Sequence, residues 1–406
     1  MNKYNGMNVC IWSGTSFEKS YASYHLMEYI IKAILDAGHN VYLIQKKNQD
    51  GEMPASLCNE KNLHVLNVPW LEPEKSSFIK RYLDAIKYYL VSAKKIKRLS
   101  NIDVIFLQSN NVAFFPVKIA NIFKIPIVYN VQDIFPLDAL VVGKLKDSNP
   151  AYIVARWLQR NAYKNASRVV TISEDMAKSI EQEGRSEIDV IYNWSYQNEV
   201  FNIKDEENHF LTRYQIKRED GFRVVYAGNI GQMMDAEMIV KTAQKLKAYK
   251  DIRFYIIGEG SNLKYLKKRI LDEDIDNVLI FPPQPMKYAP DNYCMADVNI
   301  NPIPKGVIYA CMPSKLNTCL LSRKATIVAM EKGSDMAQKL SIVDKWFVVE
   351  PGDSEAMAEI IIKQYRSNNL DIYSNNSGEF MKKLGPIENA YSYVQILEDV
   401  VGNMEK

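Results

Sequence analysis

A lysine at the predicted start of a helix is the strongest chemical signal in the chain. In the segment 312–318 (MPSKLNT), Ser314 is a good N-cap residue and Lys315 opens the helix. A helix N-terminus carries about half a positive charge and free N–H groups, so it suits a phosphate. A lysine is normally unfavourable there, because its charge repels the positive end of the helix. An anion bound between the lysine and the helix would remove this repulsion. We favour phosphate binding over the alternative, a capped turn with a solvated lysine.

Two glycines form a second candidate site. Gly228 and Gly231, in the segment 226–231 (YAGNIG), directly follow an apolar run. A backbone without Cβ atoms can approach a ligand closely. The segment is not a complete G-x-G-x-x-G motif, and no P-loop lysine follows it. A glycine turn required only by strand-to-helix geometry is an equal alternative.

Three other loops carry weaker signals. Asp133, in NVQDIFP, follows an apolar run and suits an active-site loop, or equally a turn before the proline. Gly258, in GEG, is favoured as part of a plain tight turn. Gly14, in GTSFE, could border an acceptor, although a turn followed by an N-cap explains it at least as well.

The elements that position these loops alternate between strand and helix. Strands are predicted at 7–12, 41–45, 104–107, 125–129, 169–172 and 189–192, and again at 223–227, 253–257, 277–281, 297–301, 325–330 and 346–350. This alternation implies parallel sheets covered by helices on both faces. A polar stretch at 193–221 interrupts it, as an interdomain connection would. In doubly wound sheets, ligands bind at the carboxyl ends of strands, where the candidate loops lie.

Composition excludes several classes of protein. The 406 residues suffice for two domains, and the net charge of +3 argues against a broadly basic nucleic-acid binder. Five scattered cysteines and four scattered histidines offer no zinc pattern and indicate reduced thiols. The start of the chain lacks an apolar signal core, and no apolar run is long enough to span a bilayer. We therefore expect a cytoplasmic protein.

One predicted helix, 78–99, is basic and amphipathic. Apolar residues recur at helical spacing, and seven Lys or Arg residues accompany a single acid, Asp84. Such a helix can lie on an anionic bilayer. A surface helix whose apolar stripe faces the core is the favoured alternative.

Taken in order, these segments resemble the family 4 retaining glycosyltransferases of the GT-B fold. The likeness is strongest to bacterial capsule and O-antigen enzymes, including the N-acetyl-L-fucosaminyltransferase-like group. The matching pieces are VQDIFP (131–136), VTISEDM (170–176), VIYNW (190–194), YAGNIG (226–231), FYIIGEG (254–260), ADVNINPIP (296–304) and MPSKLNT (312–318). The resemblance implies an α/β chain with two doubly wound Rossmann-like domains facing a central cleft.

The resemblance also implies that the two domains bind different substrates. Residues 1–195 would form an acceptor-binding domain and residues 196–385 a nucleotide-sugar-binding domain. A helix at 386–406 would pack back on the first domain.

Site roles follow from the same resemblance. Lys315 would hold the donor phosphates and stabilise the leaving group, and Asp133 would sit across the cleft near the transferred sugar. Gly228 and Gly231 would approach the diphosphate, the stretch 281–285 would border the base, and Thr318 or Asn317 would contact the ribose. The full set of substrate contacts is Gly14, Gly228, Asn229, Gly231, Gly258, Gln284, Pro313, Ser314, Leu316, Asn317 and Thr318.

The chain departs from the family pattern at three places. Two glutamates eight positions apart are common near the donor, and the stretch 310–318 contains neither. The turn 322–325 (SRKA) lacks the usual glycine and proline, and Gln132 stands where a histidine often precedes the aspartate. These departures leave the donor sugar open.

The resulting hypothesis is transfer of a sugar, with retention, from a nucleotide-sugar, UDP being the expected nucleotide. The acceptor would be a glycan or polyprenyl-linked glycan at the inner membrane face, reached through peripheral contact. No cofactor or metal is expected. A nucleotide-sugar 2-epimerase of similar fold and a non-catalytic nucleotide-sugar binder remain as alternatives.

Overall fold

The structure is a computed structural model that describes residues 6–17, 24–47, 53–70, 78–99, 101–108, 110–195, 200–367 and 384–403. The chain divides into two compact units. Unit 1 comprises Met1–Tyr196, Tyr309–Met312 and Gly385–Lys406, and unit 2 comprises Gln197–Ile308 and Pro313–Leu384. The sequence had assigned all of 196–385 to one domain, whereas Tyr309–Met312 belongs with unit 1.

Unit 1 is built on a seven-stranded parallel sheet in the order β3-β2-β1-β4-β5-β6-β7. Its strands are β1 (Asn8–Trp12), β2 (Asn40–Lys47), β3 (Leu63–Pro69), β4 (Val104–Gln108), β5 (Ile127–Val131), β6 (Arg168–Thr171) and β7 (Asp189–Val190). Its helices are α1 (Tyr24–Asp36), α2 (Phe78–Arg98), α3 (Phe114–Phe123), α4 (Leu137–Val141), α5 (Pro150–Asn165), α6 (Glu174–Glu181) and the C-terminal α14 (Pro386–Gly402). The strand order reverses beside β1, as in doubly wound sheets.

The final helix completes the core of unit 1. Apolar side chains of α14, among them Tyr393 and Leu397, join those of α1 and of the central strands in one buried cluster. The Tyr393 ring meets Phe106 of β4 edge to face, with ring centroids 5.6 Å apart. Burial on both faces explains why the central strands read as unbroken apolar runs.

Unit 2 repeats the design with six parallel strands in the order β10-β9-β8-β11-β12-β13. The strands are β8 (Phe222–Ala227), β9 (Ile252–Ile257), β10 (Val278–Phe281), β11 (Val298–Pro302), β12 (Ala325–Ala329) and β13 (Trp346–Val349). The helices are α7 (His209–Tyr214), α8 (Ala236–Lys245), α9 (Leu263–Asp272), α10 (Ala289–Cys294), α11 (Lys315–Ser322), α12 (Asp335–Ser341) and α13 (Ser354–Ser367).

The sequence pattern missed the edge strand β3. Its segment LHVLNVP pairs only with β2, and most of its side chains are exposed or half-buried. A strand with one neighbour and little burial carries polar residues such as His64 and Asn67, so its apolar signal is weak. The sequence also predicts a helix over 18–37, after the first strand. The structure has α1 (Tyr24–Asp36) there, and residues 18–23 lie outside the described part of the chain.

Two glycine loops cross at the carboxyl edge of the unit 2 sheet. Gly228 follows β8 and Gly258 follows β9, both with positive φ, 136° and 151°. A Cβ atom on Gly258 would lie 1.9 Å from the Gly228 carbonyl oxygen. The Ile230 N–H donates to the Glu259 carbonyl at 2.7 Å and fixes the crossing. Gly258 is therefore required by close backbone contact, in line with the tight-turn interpretation.

We predict that Gly258→Ala lowers the free energy of unfolding by about 2–4 kcal/mol, because alanine adds both a clash and an unfavourable φ. The control is Gly333→Ala, where φ is not positive and a Cβ would meet nothing within 4 Å. Urea unfolding followed by circular dichroism measures both variants. Equal stability of the two variants would show that the crossing tolerates a side chain.

Candidate functional site

Lys315 is held by an aromatic residue of the neighbouring strand. Lys315 begins α11, and its Nζ donates a hydrogen bond to the hydroxyl of Tyr226 in β8. The same Nζ lies 4.0 Å from the centroid of the Tyr226 ring. A Cβ built on Gly228 would come within 3.2 Å of this nitrogen. The lysine therefore reaches back over the glycine loop, whose lack of side chains leaves it room.

The Lys315 ammonium lacks the usual compensation for a charge removed from water. Lys315 is half-buried, and desolvation lowers its pKa to about 8. Among the described residues, no carboxylate forms an ion pair with it. A desolvated cation without a counter-ion is poised to bind an anion, because the anion would restore the electrostatic stabilisation that water supplied.

The first turn of α11 differs from the sequence interpretation. Ser314 has helical dihedral angles, φ −60° and ψ −23°, and its side chain makes no cap hydrogen bond. A capping side chain needs an extended N-cap backbone, so the Ser314 capping prediction is wrong. Leu316 N–H instead donates to the Pro313 carbonyl at 3.2 Å, and Asn317 N–H to the Ser314 carbonyl at 3.2 Å. The backbone N–H groups of Ser314 and Lys315 are the ones left for a ligand in this part of the described chain.

The remaining α11 residues differ in what they can offer a ligand. Leu316 and Asn317 are 1% and 2% exposed, so their side chains face the interior of unit 2. Thr318 is half-buried, as is Pro313, whereas Ser314 is exposed. Of the two residues predicted to contact a ribose, Thr318 has the accessible side chain.

Gln284 lies beside the same edge of the sheet. Its Nε2 donates to the Pro282 carbonyl at 2.8 Å and to the Tyr214 hydroxyl at 3.2 Å. The Tyr214 ring packs edge to face on Phe281, with centroids 4.7 Å apart, and the Phe281 carbonyl accepts from Gly258 N–H at 3.0 Å. The structure thus brings the stretch 281–285 next to the glycine crossing. Nothing in the sequence pattern around Tyr214 indicates that it lies beside this site.

Asn229 and Gly231 complete the glycine loop. The Asn229 carbonyl accepts from the Tyr226 hydroxyl at 2.6 Å, while the residue itself is exposed. Gly231 is buried, and its carbonyl accepts from Asn262 Nδ2 at 3.1 Å. The loop is therefore fixed from both sides before any ligand binds.

Asp133 belongs to unit 1, where it follows β5. It forms an isolated antiparallel bridge with Cys311, and Ile134 N–H donates to the Ala310 carbonyl at 2.8 Å. These contacts are the reason that Tyr309–Met312 groups with unit 1. The Asp133 side chain has accessible surface, yet the protein atoms around it desolvate the carboxylate. This desolvation, with the charge of Asp138, raises the pKa of Asp133 to about 6.

A chain of side-chain amides lies beside Asp133. Gln132 donates to Asn130 Oδ1 at 3.1 Å and accepts from Asn193 Nδ2 at 2.6 Å. Asn130 in turn donates to Gln108 Oε1 at 3.0 Å. Gln132, at the position where the family often has histidine, is thus part of a neutral hydrogen-bond network. The sequence could not reveal this network, because its members come from three separate segments.

Gly14 follows β1 and packs against α2. A Cβ on Gly14 would lie 2.9 Å from the Tyr89 hydroxyl, and the Tyr88 hydroxyl donates to the Ser13 carbonyl at 2.7 Å. The Gly14 loop is thus supported by two buried tyrosines of α2. It lies at the carboxyl edge of the unit 1 sheet, as Asp133 does.

The predicted residues therefore fall into two groups. Lys315, Gly228, Asn229, Gly231, Gly258 and Gln284 lie around one edge of the unit 2 sheet, and Asp133 and Gly14 lie at the corresponding edge in unit 1. The unit 2 group, with its cation and free N–H groups, has the chemistry to bind a diphosphate. In the described part of the chain, no helix is both long and apolar enough to cross a bilayer.

Comparison with known proteins agrees with this chemistry. Residues 26–194 match the model of the glycosyl transferase 4-like domain, and residues 221–367 match that of the glycosyl transferases group 1. The chain is also similar to a Pseudomonas aeruginosa protein named "Probable glycosyltransferase WbjE". The two are 26% identical over 318 residues, which cover 77% of this chain and 78% of the relative.

Solved structures share the fold. A glycosyltransferase from Rickettsia africae ESF-5 superposes with a TM-score of 0.70 at 13% identity, covering 98% of this chain and 100% of that one. WaaG, a glycosyltransferase involved in lipopolysaccharide biosynthesis, gives 0.65 at 12% identity and 98% coverage of both chains. HepE of Anabaena, in complex with UDP, gives 0.60 at 16% identity, covering 98% and 96%. The prediction of a GT-B chain with two doubly wound Rossmann-like halves is confirmed.

The two domain matches are consecutive and cover every strand of both sheets except β1, with the group 1 match containing the Gly228 loop and Lys315. The chain therefore belongs to the family 4 glycosyltransferases.

Proposed function

We propose that this glycosyltransferase binds the diphosphate of a nucleotide-sugar at Lys315 and transfers the sugar with retention in surface polysaccharide biosynthesis. The observation that carries the proposal is a desolvated lysine beside a glycine loop, without a carboxylate partner among the described residues. WaaG, which shares the fold, is described as acting in lipopolysaccharide biosynthesis. That description supports the choice of pathway class for this chain.

The proposed reaction exchanges one bond at the anomeric carbon for another. The bond from that carbon to the donor's phosphate oxygen breaks, and a bond to the acceptor oxygen forms. The acceptor hydroxyl proton passes to the departing phosphate. Lys315 and the N–H groups of Ser314 and Lys315 stabilise the negative charge that develops on this phosphate, an effect of preorganised electrostatics.

The donor is proposed to carry UDP. HepE binds UDP on the same fold, which makes uridine the first nucleotide to test. The stretch 281–285 borders the base, and Thr318, which is half-buried, contacts the ribose in place of the missing glutamate pair. Asp133 and Gly14, at the edge of the unit 1 sheet, contribute to the acceptor side.

We predict that Lys315→Ala lowers turnover by about 10²–10³-fold, the range seen when one transition-state donor is removed. A thermal-shift screen of nucleotide-sugars first selects the donor, because a ligand bound by the folded state raises its apparent stability. Released nucleoside diphosphate then measures turnover with candidate acceptors.

The matched control is Lys267→Ala, which removes the same charge from an exposed position on α9. Wild-type turnover in Lys315→Ala would rule out the proposed role. An epimerised donor in place of free nucleoside diphosphate would identify an epimerase, and binding without reaction would identify a non-catalytic binder.

We also predict that turnover is unchanged, within about twofold, after removal of divalent cations, because Lys315 and the helix N-terminus supply the charge that a metal ion would otherwise provide. Incubation with EDTA followed by the same assay measures this, with readdition of Mg²⁺ as the control. Loss of activity that Mg²⁺ restores would contradict metal-independent transfer.

The acceptor is proposed to be a lipid-linked glycan, reached from the bilayer surface. Helices α2, α3 and α5 carry eleven Lys or Arg residues and a single acid, Asp84. Helix α3 contacts both of the others. Exposed apolar side chains lie among these cations, namely Leu83, Leu90, Val91, Ile122, Ile153, Val154 and Trp157. Apolar residues surrounded by cations fit an anionic membrane surface.

A groove between α3 and α5 adds to this surface. It has a volume of about 500 Å³ and is lined by Phe114, Ile122 and Trp157 among others. The Trp157 ring packs near Phe114, with centroids 6.1 Å apart, and is 58% exposed. An accessible tryptophan in the same groove as Lys118 is suited to the interfacial region of a bilayer.

We predict that vesicles containing anionic lipid quench the fluorescence of Trp157 when the lipids carry bromine on their acyl chains. Trp12, Trp194 and Trp346 are at most 4% exposed and Trp70 is half-buried, whereas Trp157 is 58% exposed, so Trp157 should give the largest change. Trp157→Phe serves as the control and should lose most of the quenching. Equal quenching with purely zwitterionic vesicles, or none with anionic ones, would contradict the proposed contact.

A further inference from the structure

We propose that Tyr226 is a positioning residue that keeps Lys315 protonated and directed over the glycine loop before the donor binds. This inference rests on the proposed role of Lys315. It concerns a residue that none of the sequence motifs selected for chemistry.

The Tyr226 hydroxyl has one proton, and the structure identifies the group to which it donates its hydrogen bond. The hydroxyl donates to the Asn229 carbonyl at 2.6 Å, so its oxygen is left with lone pairs only. Lys315 Nζ donates to that oxygen. Because an ammonium can only donate, the two bonds have a fixed direction: Lys315 to Tyr226, and Tyr226 to Asn229. The relay connects the start of α11 to the glycine loop.

The ring adds a second contact to the same cation. Nζ lies 4.0 Å from the ring centroid, within the range of a cation–π interaction. Tyr226 is 1% exposed, and burial raises the pKa of its hydroxyl well above the usual range, so the hydroxyl stays neutral. A neutral acceptor and an aromatic face stabilise the ammonium without forming an ion pair. The lysine is therefore oriented while its charge remains available to an incoming anion.

A carboxylate in the place of Tyr226 would serve less well. It would hold Lys315 in a salt bridge that the donor diphosphate would have to break, at a cost in binding free energy. Tyrosine provides a weaker contact that can persist or yield when phosphate oxygens arrive. Among the described residues, the groups shown to interact with Nζ are the Tyr226 hydroxyl and ring and the Cys319 thiol, and all of these are uncharged. Burial raises the pKa of that thiol to about 12, so it too is neutral.

Loss of the hydroxyl should therefore favour the uncharged lysine. In Tyr226→Phe the ring stays but the acceptor is gone, and the pKa of Lys315 should fall from about 8 by roughly one unit. Lys315 is active as a cation, so activity is present below this pKa and lost as pH rises through it. The alkaline limb of kcat/KM should move to lower pH by the same amount. The variant and the wild type should then agree within about twofold at pH 6 and differ about eightfold at pH 8.5.

Tyr293→Phe is the matched control. Tyr293 is also buried in unit 2, and its hydroxyl donates to the Ala227 carbonyl at 3.0 Å, one residue from the glycine loop. In the described structure its hydroxyl does not bond to Lys315, whose Nζ donates to Tyr226. Both variants remove one buried hydroxyl near the end of β8, and only one of them removes the contact with the lysine.

Competitive labelling with trace acetic anhydride, read by peptide mass spectrometry, measures the titration of Lys315 without any donor. We expect the Lys315 titration to move to lower pH in Tyr226→Phe, to stay in place in Tyr293→Phe, and the Lys324 titration to stay unchanged in both. An unmoved Lys315 titration in Tyr226→Phe overturns the inference, and so does a kcat/KM that falls equally at every pH. If the titration moves while Lys315→Ala keeps full turnover, Tyr226 positions the lysine but the proposed function fails.

Discussion

The constraint on which the candidate site depends is the placement of a positive charge where water is scarce. Lys315 is desolvated enough to lower its pKa to about 8, and it is stabilised by a neutral hydroxyl and an aromatic ring. A desolvated charge interacts more strongly with an opposite charge than a solvated one does. The same desolvation raises the free energy of the charged lysine. The neutral hydroxyl and the aromatic ring around the ammonium partly compensate for the lost hydration. Much of the local architecture of unit 2 can be understood from this need.

The glycine crossing is one consequence. A lysine from α11 can lie over the end of β8 only if that loop has no side chain in its path, and Gly228 meets this condition. The Gly228 carbonyl is in turn so close to Gly258 that the second loop must lack a side chain as well. The two glycines therefore depend on each other: the position of Lys315 requires a glycine at 228, and the Gly228 carbonyl requires a glycine at 258. Gly258, which sequence reasoning treated as an ordinary turn, supports the site without a contact to the lysine in the described structure.

The sequence could predict what depends on periodicity and on residue type. Parallel sheets buried on both faces produce apolar runs, and the runs predicted the central strands of both units. Lys315 could be selected because a lysine at a helix start is locally unfavourable. Edge strand β3 was missed because one neighbour gives little burial, and Tyr226 was missed because a tyrosine in a strand is ordinary. The prediction that Ser314 caps α11 was wrong because its backbone is already helical. Backbone dihedral angles cannot be read from the sequence.

The missing glutamate pair then takes on a definite physical meaning. A family member with carboxylates near the donor can orient the sugar and ribose by accepting hydrogen bonds from their hydroxyl groups. In this chain the corresponding stretch offers Thr318, whose single hydroxyl both donates and accepts, and no carboxylate. In the proposed function, fewer negative charges near Lys315 would leave its attraction for the donor diphosphate less opposed. On the proposed role of Lys315, α11 would recognise the sugar less specifically and bind the phosphates more strongly. We therefore infer that contacts outside α11 mainly determine which donor is bound. On unit 2, the nearest candidates are the stretch 281–285 and its neighbour Tyr214.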